Sequence, residues 1–322
     1  MDLSLSTRWN ACRHKDGQSM IEEILRLGFK SVELGYDLTV GMVPGVISMV
    51  SQNAVRVVSL HNFCPVPMGA PSPHPELFEL SSDDQRIRES AVHHTAKTID
   101  FAAQVGATVV VAHAGNVHMK RCTPDLMRLA ENGQLYSSKY DRIKMKLFAG
   151  RESLAARHLD SLRRSIEELL PMLSNFRITL ALETLPFWEA IPTEMEMSEL
   201  AASFDSPFLA WWLDIGHEKI RENLGFVSMS RWVEKLHPRL AGFHVHDVRG
   251  QTEDHVMPPN GTVDFAALRR FVDDCLPVVL EPAPMTDEAE IRTAREFIMQ
   301  TWNGESSAAQ TGSNPAGGPD NP

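Results

Sequence analysis

Short apolar runs alternate along this chain with longer amphipathic stretches. Consecutive apolar residues bounded by polar or turn residues are typical of buried strands. Such runs recur with a typical spacing of roughly 30 to 40 residues, the rhythm of βα units wound in parallel. The pattern predicts eight strands, at residues 3–6, 31–34, 55–60, 108–112, 178–182, 210–213, 240–243 and 278–280.

Amphipathic segments between these runs predict the helices. Residues 20–28 and 81–106 carry apolar side chains at helical spacing, and both segments end on a glycine, which suits a helix C-terminus. Eight strands that alternate with helices predict an α/β fold, a single (β/α)8 TIM barrel. A longer segment, residues 116–150, follows the fourth strand and is expected to add helix over the mouth of the barrel.

Composition fits one large core. The chain has 322 residues, of which 43% are hydrophobic, and its net charge of −11 disfavours a surface that coats nucleic acid. Four dispersed cysteines favour reduced thiols. Without a membrane-length apolar run or a signal-peptide pattern at the start, a cytoplasmic location is expected. We predict one barrel domain over 1–303 and a disordered tail over 304–322, because the tail lacks apolar periodicity.

Six of the predicted strands end on a side chain that can bind a metal ion. In a parallel barrel the loops after the strands open on one face, so these side chains are expected to converge there. The loop after the seventh strand adds two more candidates with i, i+2 spacing, which places them on the same side of an extended segment. The candidates are His61, His113, Glu183, Asp214, His217, His244, Glu253, His255 and Glu281.

The segments LALET, WLDIGH, GFHVHD followed by EDH and PPNGTVDF, and VVLEP occur in this order. With them the chain resembles the xylose isomerase-like TIM-barrel superfamily, which includes sugar phosphate isomerases and epimerases, ketose 3-epimerases, inosose dehydratases and endonuclease IV. The resemblance extends to about Trp302. It implies a soluble, metal-dependent enzyme of sugar metabolism.

The resemblance also implies a ligand set. Glu183, Asp214, His244 and Glu281 would bind the main ion, and three carboxylates with one imidazole suit Mn²⁺, Co²⁺, Mg²⁺ or Zn²⁺. His246 lies so close to His244 that it stays open as the alternative ligand. His217 would contact substrate or a second metal. Further ions are left open, because four residues match endonuclease IV positions that hold additional zinc: His61, His113, Glu253 and His255.

The chemistry expected is isomerisation or epimerisation of a small sugar, ketose or polyol derivative. A bound cation would stabilise an enediolate, while Glu183 and Glu281 remove and return the proton as an acid/base pair. Trp188, next to Phe187, is a candidate wall against a sugar face, with loop packing as the alternative. Arg8 is a candidate substrate-binding residue in the basic first loop, which could recognise a phosphate or carboxylate. The same loop contains Trp9, Arg13, His14 and Lys15.

Other functions stay open at this point. One is an endonuclease IV-like multinuclear zinc phosphodiester hydrolase, and another is a keto-sugar lyase or dehydratase. A third is a binding module without catalytic activity. The sequences AHAG and ETLPFW depart from the endonuclease IV pattern. The partner favoured is a small carbohydrate, nucleic acid is disfavoured, and a homo-oligomer is left open. The insertion also contains a cluster of basic residues that could bind phosphate or could simply form a solvated helix face. These residues are Lys120, Arg121, Arg128, Lys139, Arg142, Lys144, Lys146 and Arg151.

Overall fold

The computed structural model describes residues 1–303, and the predicted tail over 304–322 lies outside them. Eight parallel strands close into a barrel in the order β1, β10, β7, β6, β5, β4, β3, β2. This confirms the predicted (β/α)8 fold. The barrel strands are β1 (Leu3–Ser6), β2 (Ser31–Leu34), β3 (Arg56–His61), β4 (Val109–Ala112), β5 (Thr179–Glu183), β6 (Leu209–Asp214), β7 (Leu240–Val245) and β10 (Val278–Leu280).

Helices surround the barrel and follow the predicted pattern. The side chain of Asp84 caps the third helix by accepting from the backbone of Arg86, and Gly106 ends it in the left-handed conformation at φ 75°. The helices are α1 (Gly17–Arg26), α2 (Val43–Ser51), α3 (Gln85–Val105), α4 (Thr123–Glu131), α5 (Ser138–Phe176), α6 (Glu194–Phe204), α7 (Ile215–Asn223), α8 (Met229–Leu236), α9 (Phe265–Leu268) and α10 (Glu288–Asn303). None of those helices is long and apolar enough to cross a membrane.

The predicted insertion after β4 is helical, as expected. It consists of α4 and the first turns of α5, and a second hydrophobic cluster, separate from the main core, packs between them. The buried carboxylate of Glu189, in the loop after β5, accepts from the backbone N–H groups of Cys122 (2.5 Å) and Thr123 (3.0 Å) at the start of α4. A carboxylate at a helix N-terminus is favourable, so this contact fixes α4 beside the mouth of the barrel.

The loop after β7 differs from the extended segment expected there. It forms an antiparallel hairpin of β8 (Asp247–Arg249) and β9 (Glu253–Val256). His255 has a φ of 50°, which breaks the alternation of side chains along β9. As a result Glu253 and His255 do not share one face, and the Glu253 side chain is 58% exposed and paired with Arg249.

Apolar side chains fill the barrel interior beneath the strand ends. Trp212 is the largest of this group, which also includes Val58, Val109 and Val111. The indole has room because Gly242 lies opposite it in the register of β6 and β7. A Cβ at Gly242 would overlap the Trp212 ring and lie 2.8 Å from the carbonyl oxygen of Pro277.

We expect Gly242→Ala to lower the free energy of unfolding by about 1 to 3 kcal/mol, the usual cost of overpacking a filled core. Urea denaturation followed by circular dichroism measures it. Gly41→Ala is the matched control, since its Cβ would meet only Thr39 Oγ1 at 3.9 Å. Equal transition midpoints for the two variants would contradict this account of the interior.

Candidate metal centre

One imidazole nitrogen at the carboxyl end of the barrel faces three carboxylates. His244 Nδ1 lies 3.3 Å from Glu183 Oε1, 3.3 Å from Glu281 Oε2 and 3.8 Å from Asp214 Oδ2. All four side chains are buried, with exposures of 0 to 4%. The pairing register explains the convergence, because Asp214 and Val279 both lie opposite His244 and Glu281 follows two residues later.

Glu33 on β2 fixes the other edge of this imidazole. Its oxygens accept from His244 Nε2 at 3.1 and 3.2 Å, and from the hydroxyls of Ser6 (3.2 Å) and Ser59 (2.8 Å), its register neighbours on β1 and β3. An ionised carboxylate can only accept, so the network assigns the proton to Nε2 and turns the Nδ1 lone pair toward the three carboxylates. The sequence analysis missed Glu33.

The charges in this cluster keep its carboxylates ionised. Burial alone raises the pKa of Glu183, but His113 and His244 outweigh burial and hold the pKa well below its usual value. Burial also raises the pKa of Glu281, but His244, Arg8 and His255 outweigh burial and keep this pKa low. Ionised oxygens are the state that a divalent cation requires of its ligands.

Asp214 has two roles, one for each carboxylate oxygen. As the N-cap of α7, its Oδ1 accepts from the His217 backbone N–H at 2.7 Å. The same carboxylate accepts from His246 Nε2 at 2.9 Å, while Oδ2 faces His244. A Cβ at Gly216 would overlap the His246 ring, so glycine is required there. The structure thus brings both histidines to Asp214, but only His244 also faces Glu183 and Glu281.

A second group of possible ligands shares Glu183. Its Oε2 lies 3.0 Å from His61 Nε2 and 3.2 Å from His113 Nε2. His61 Nδ1 lies 3.1 Å from the carbonyl oxygen of Asn62, which can only accept. A neutral His61 therefore directs a lone pair, not a proton, at the carboxylate. Two lone pairs that face each other are the arrangement expected of two ligands that share a cation.

A third group lies on the side of Asp214. His217 Nδ1 donates to the carbonyl oxygen of Thr184 at 3.0 Å, and its Nε2 lies 3.8 Å from Asp254 Oδ2. His255 lies beside His246, with ring centroids 4.2 Å apart. Glu253, the ligand expected from spacing, points away, and its neighbour Asp254 lines the cavity without belonging to a group of possible ligands.

Four groups in the described part of the chain have donor atoms within 4.8 Å of one another and could hold cations. Three of them lie at the strand ends, and the fourth, Asp83, His118 and His158, lies in the loops after β3 and β4 and on α5. The first strand-end group, Glu183, Asp214, His244 and Glu281, contains the ligands predicted for the main ion. Its oxygen-rich, buried donors and oriented imidazole fit Mn²⁺, Co²⁺, Mg²⁺ or Zn²⁺. The other two strand-end groups are His61, His113 and Glu183, and His217, His246 and His255.

A cavity of about 390 Å³ lies over this cluster. Glu183, His217 and Glu281 form its polar floor, and residues 74–76, from the long loop after β3, line its side. Met127 of α4 also lines it, as expected for an insertion over the mouth. A cavity of this volume is at the small end of the range for ligand sites, the size of a monosaccharide rather than a polymer.

The structure corrects the placement of Trp188. It does not line the cavity; its ring stacks on Phe148 at 4.9 Å and packs against Phe226 at 5.3 Å, below the insertion. Its neighbour Phe187 lines the cavity instead. The reason is the backbone, since the Trp188 N–H donates to Thr123 Oγ1 at 3.1 Å and so turns the indole toward the insertion.

Arg8 reaches the cavity as predicted, but the rest of the basic first loop does not. Arg8 Nη1 lies 3.3 Å from Glu281 Oε1 and donates to His255 Nε2 at 3.1 Å. Arg13 and His14 are instead paired with Glu23, at 2.9 and 2.6 Å, on the outside of the barrel. Of the loop residues suggested to bind a phosphate or carboxylate, only Arg8 reaches the cavity.

Several cations of the insertion also have structural partners. Arg151 is paired with Glu196 at 2.5 Å and is 6% exposed. Lys144 donates to the carbonyl oxygen of Gly225 at 2.6 Å, and Arg128 pairs with Asp125 at 2.7 Å. These contacts indicate that these cations stabilise the insertion and its surroundings rather than bind a phosphate backbone.

Comparison with known proteins agrees with this fold. The xylose isomerase-like TIM barrel family matches residues 21–301, and the chain belongs to that family. An uncharacterised protein of Methanocaldococcus jannaschii is 23% identical over 244 residues, 76% of each chain.

Solved structures with the same fold include several sugar epimerases. A D-tagatose 3-epimerase-like protein is similar with a TM-score of 0.68 and 18% identity, over 94% of this chain and 98% of that one. The IolI protein, solved with a bound zinc atom, is similar with a TM-score of 0.61 and 12% identity, over 95% of this chain and 100% of that one.

We expect Glu33→Gln to weaken Mn²⁺ binding by about 10- to 100-fold, the usual effect of losing a carboxylate behind a ligating histidine. The uncharged amide no longer favours the proton on His244 Nε2. Isothermal titration calorimetry of the metal-free protein measures the change. Glu253→Gln, on the exposed hairpin, is the control. A dissociation constant unchanged in Glu33→Gln would show that Glu33 does not orient the imidazole.

Proposed function

We propose that this protein is a divalent-metal-dependent isomerase or epimerase of a small sugar, ketose or polyol derivative. The observation that carries the proposal is the position of Glu183 and Glu281. These two carboxylates come from different sides of the barrel wall, each lies 3.3 Å from His244 Nδ1, and both line the 390 Å³ cavity. Two carboxyl groups at one small cavity suit proton removal by one of them and proton return by the same or the other group.

The two glutamates are arranged for complementary proton transfers. An ionised glutamate removes the proton beside a carbonyl and becomes a carboxylic acid, which leaves an enediolate. That glutamate can return the same proton to the adjacent carbon, which is isomerisation. For epimerisation the other glutamate must begin the cycle protonated, so that it can give its proton to the opposite face. Arg8, 3.3 Å from Glu281 Oε1, adds a fixed positive charge near the negative charge that develops on the substrate. The buried setting of both glutamates keeps bulk water from competing for the proton.

A divalent cation held by Glu183, Asp214, His244 and Glu281 would supply Lewis-acid stabilisation of the substrate oxygens. The ligand chemistry supports this, as does the zinc atom in the structurally similar IolI protein. Asp214 and His244 are both 0% exposed, so their contribution is to bind and orient rather than to exchange protons with solvent.

We expect Glu183→Gln and Glu281→Gln to slow proton exchange by about 10² to 10⁴-fold, the usual contribution of an acid/base group. Uptake of deuterium from heavy water into a ketose, followed by NMR on the Mn²⁺-supplemented protein, measures it. Metal content determined on the same samples separates loss of the base from loss of the ion. Glu253→Gln should exchange at the rate of the parent protein, and full activity in either cavity variant would remove the assignment.

A second candidate, a multinuclear phosphodiester hydrolase, is favoured by one observation. His61, His217 and His255 each have Nδ1 within 3.1 Å of a backbone carbonyl oxygen, so Nε2 of all three points inward. Such oriented imidazoles are typical of metal ligands. The small cavity and the structural use of the basic insertion weigh against a nucleic-acid substrate.

Metal analysis and a substrate test together separate the candidates. We expect about one ion per chain at saturation of the main site, together with deuterium uptake into a ketose and no cleavage of an oligonucleotide with an abasic site. Two or three zinc ions per chain, with nicking of the oligonucleotide and no deuterium uptake, would replace the isomerase by the hydrolase.

A further inference from the structure

The cavity has acidic side chains on its wall as well as on its floor. Glu76 and Asp254 line it together with Glu183 and Glu281, and neither belongs to a group that could hold a metal ion. Building on the proposed function, we infer that Glu76 and Asp254 determine specificity. They accept hydroxyl groups of an uncharged polyhydroxy ketone and exclude sugars that carry a phosphate or carboxylate.

Glu76 is held in place but keeps one oxygen available. Its Oε1 accepts from Asn116 Nδ2 at 3.2 Å and lies 3.9 Å from His113 Nδ1. Within residues 1–303 no hydrogen bond reaches Oε2, and the side chain is 20% exposed. A carboxylate fixed by one oxygen, with the other free at a cavity wall, is suited to accept from a ligand hydroxyl.

Asp254 has a similar arrangement on the side of the hairpin. Its Oδ2 is 3.8 Å from His217 Nε2, beyond hydrogen-bond distance, and its side chain is 40% exposed. Leu185, Pro186 and Phe187 form an apolar part of the wall. That part cannot bind hydroxyl groups, so their recognition depends on the polar part of the wall, which includes Tyr36 and Thr252 as well as the acidic residues and the imidazoles.

The cavity has few positive side chains to balance the negative charge of an anionic substrate. Arg8 is its only lysine or arginine among the described residues. The Nη1 of this guanidinium binds Glu281 and His255, while its Nε has no partner among them. Arg121 lies 5.4 Å above the Phe187 ring but does not itself line the cavity. A phosphate in this space would meet Glu76 and Asp254 as well as Glu183 and Glu281, with one guanidinium to balance them, and like charges in a small cavity repel strongly.

Matched sugar pairs test the inference on the Mn²⁺-loaded full-length protein. D-fructose, D-tagatose and D-ribulose are compared with D-fructose 6-phosphate, D-tagatose 6-phosphate and D-ribulose 5-phosphate, by calorimetric binding and by deuterium uptake. We expect at least one free ketose to bind about 10-fold or more tightly than its phosphate. A phosphate that binds as well as, or better than, its free partner in every pair that binds would overturn the inference.

Substitutions then test the two residues. Glu76→Gln and Asp254→Asn should raise KM for the free ketose about 10-fold with kcat changed less than about threefold, because they lose acceptor strength without touching the reacting carbon. Asp254→Lys should shift the preference toward the phosphorylated sugar. Glu253→Gln, the adjacent residue on the hairpin, should change neither value. Unchanged KM in both Glu76→Gln and Asp254→Asn would overturn the assignment.

The outcome also distinguishes this inference from the proposed function. Binding of a free ketose without deuterium uptake would refute the isomerase while the binding preference still supports the inference. Deuterium uptake into a phosphorylated ketose alone would support the isomerase and overturn the inference. If no sugar of either kind binds, the inference is overturned. Circular dichroism and thermal melting of each variant confirm that a lost preference does not come from unfolding.

Discussion

The whole site depends on one imidazole held between opposing groups of carboxylates. His244 gives one nitrogen to Glu33 and directs the other at Glu183, Asp214 and Glu281. The neighbouring carboxylates outweigh burial and raise the pKa of His244. Even the imidazolium offers only one Nδ1 proton to three ionised oxygens at 3.3 to 3.8 Å, so the arrangement carries an excess of buried negative charge. Burying that charge is tolerable only beside positive charge, which Arg8 supplies in part at 3.3 Å from Glu281. Bringing these side chains together at one place is therefore the problem that the fold has to solve.

The closed barrel solves this problem through register. Asp214 lies opposite His244 on neighbouring strands, and Glu183 lies opposite Trp212, two residues before Asp214. The stagger of the strands thus carries each ligand to the same height at the rim. Beneath it, Trp212 packs edge to face with His244 at 5.1 Å and closes the interior. A rigid apolar plug under a polar rim supports the ligands from below.

Much of this arrangement could be predicted from the sequence, and the exceptions have definite causes. Strand-end ligands such as Glu183 were predictable because closure of the barrel fixes where strand ends point. Glu33 left a signal that was overlooked, since a glutamate inside the apolar strand SVEL needs a buried partner. Trp188 and Glu253 depended on loop backbone conformation, a hydrogen bond to Thr123 and a positive φ at His255, which residue patterns do not encode. Glu76 lies in a loop without periodicity.

The additional histidines explain why the site resembles two kinds of enzyme at once. His61 and His113 face Oε2 of Glu183, whereas the main ligand group uses Oε1, so an ion bound by the two histidines would occupy the oxygen that is otherwise free for proton transfer. His113 and His244 also lower the pKa of Glu183 against the effect of burial. The two chemistries therefore compete for one carboxylate. The cavity of about 390 Å³, bordered by α4 and residues 74–76, has the volume of a small sugar.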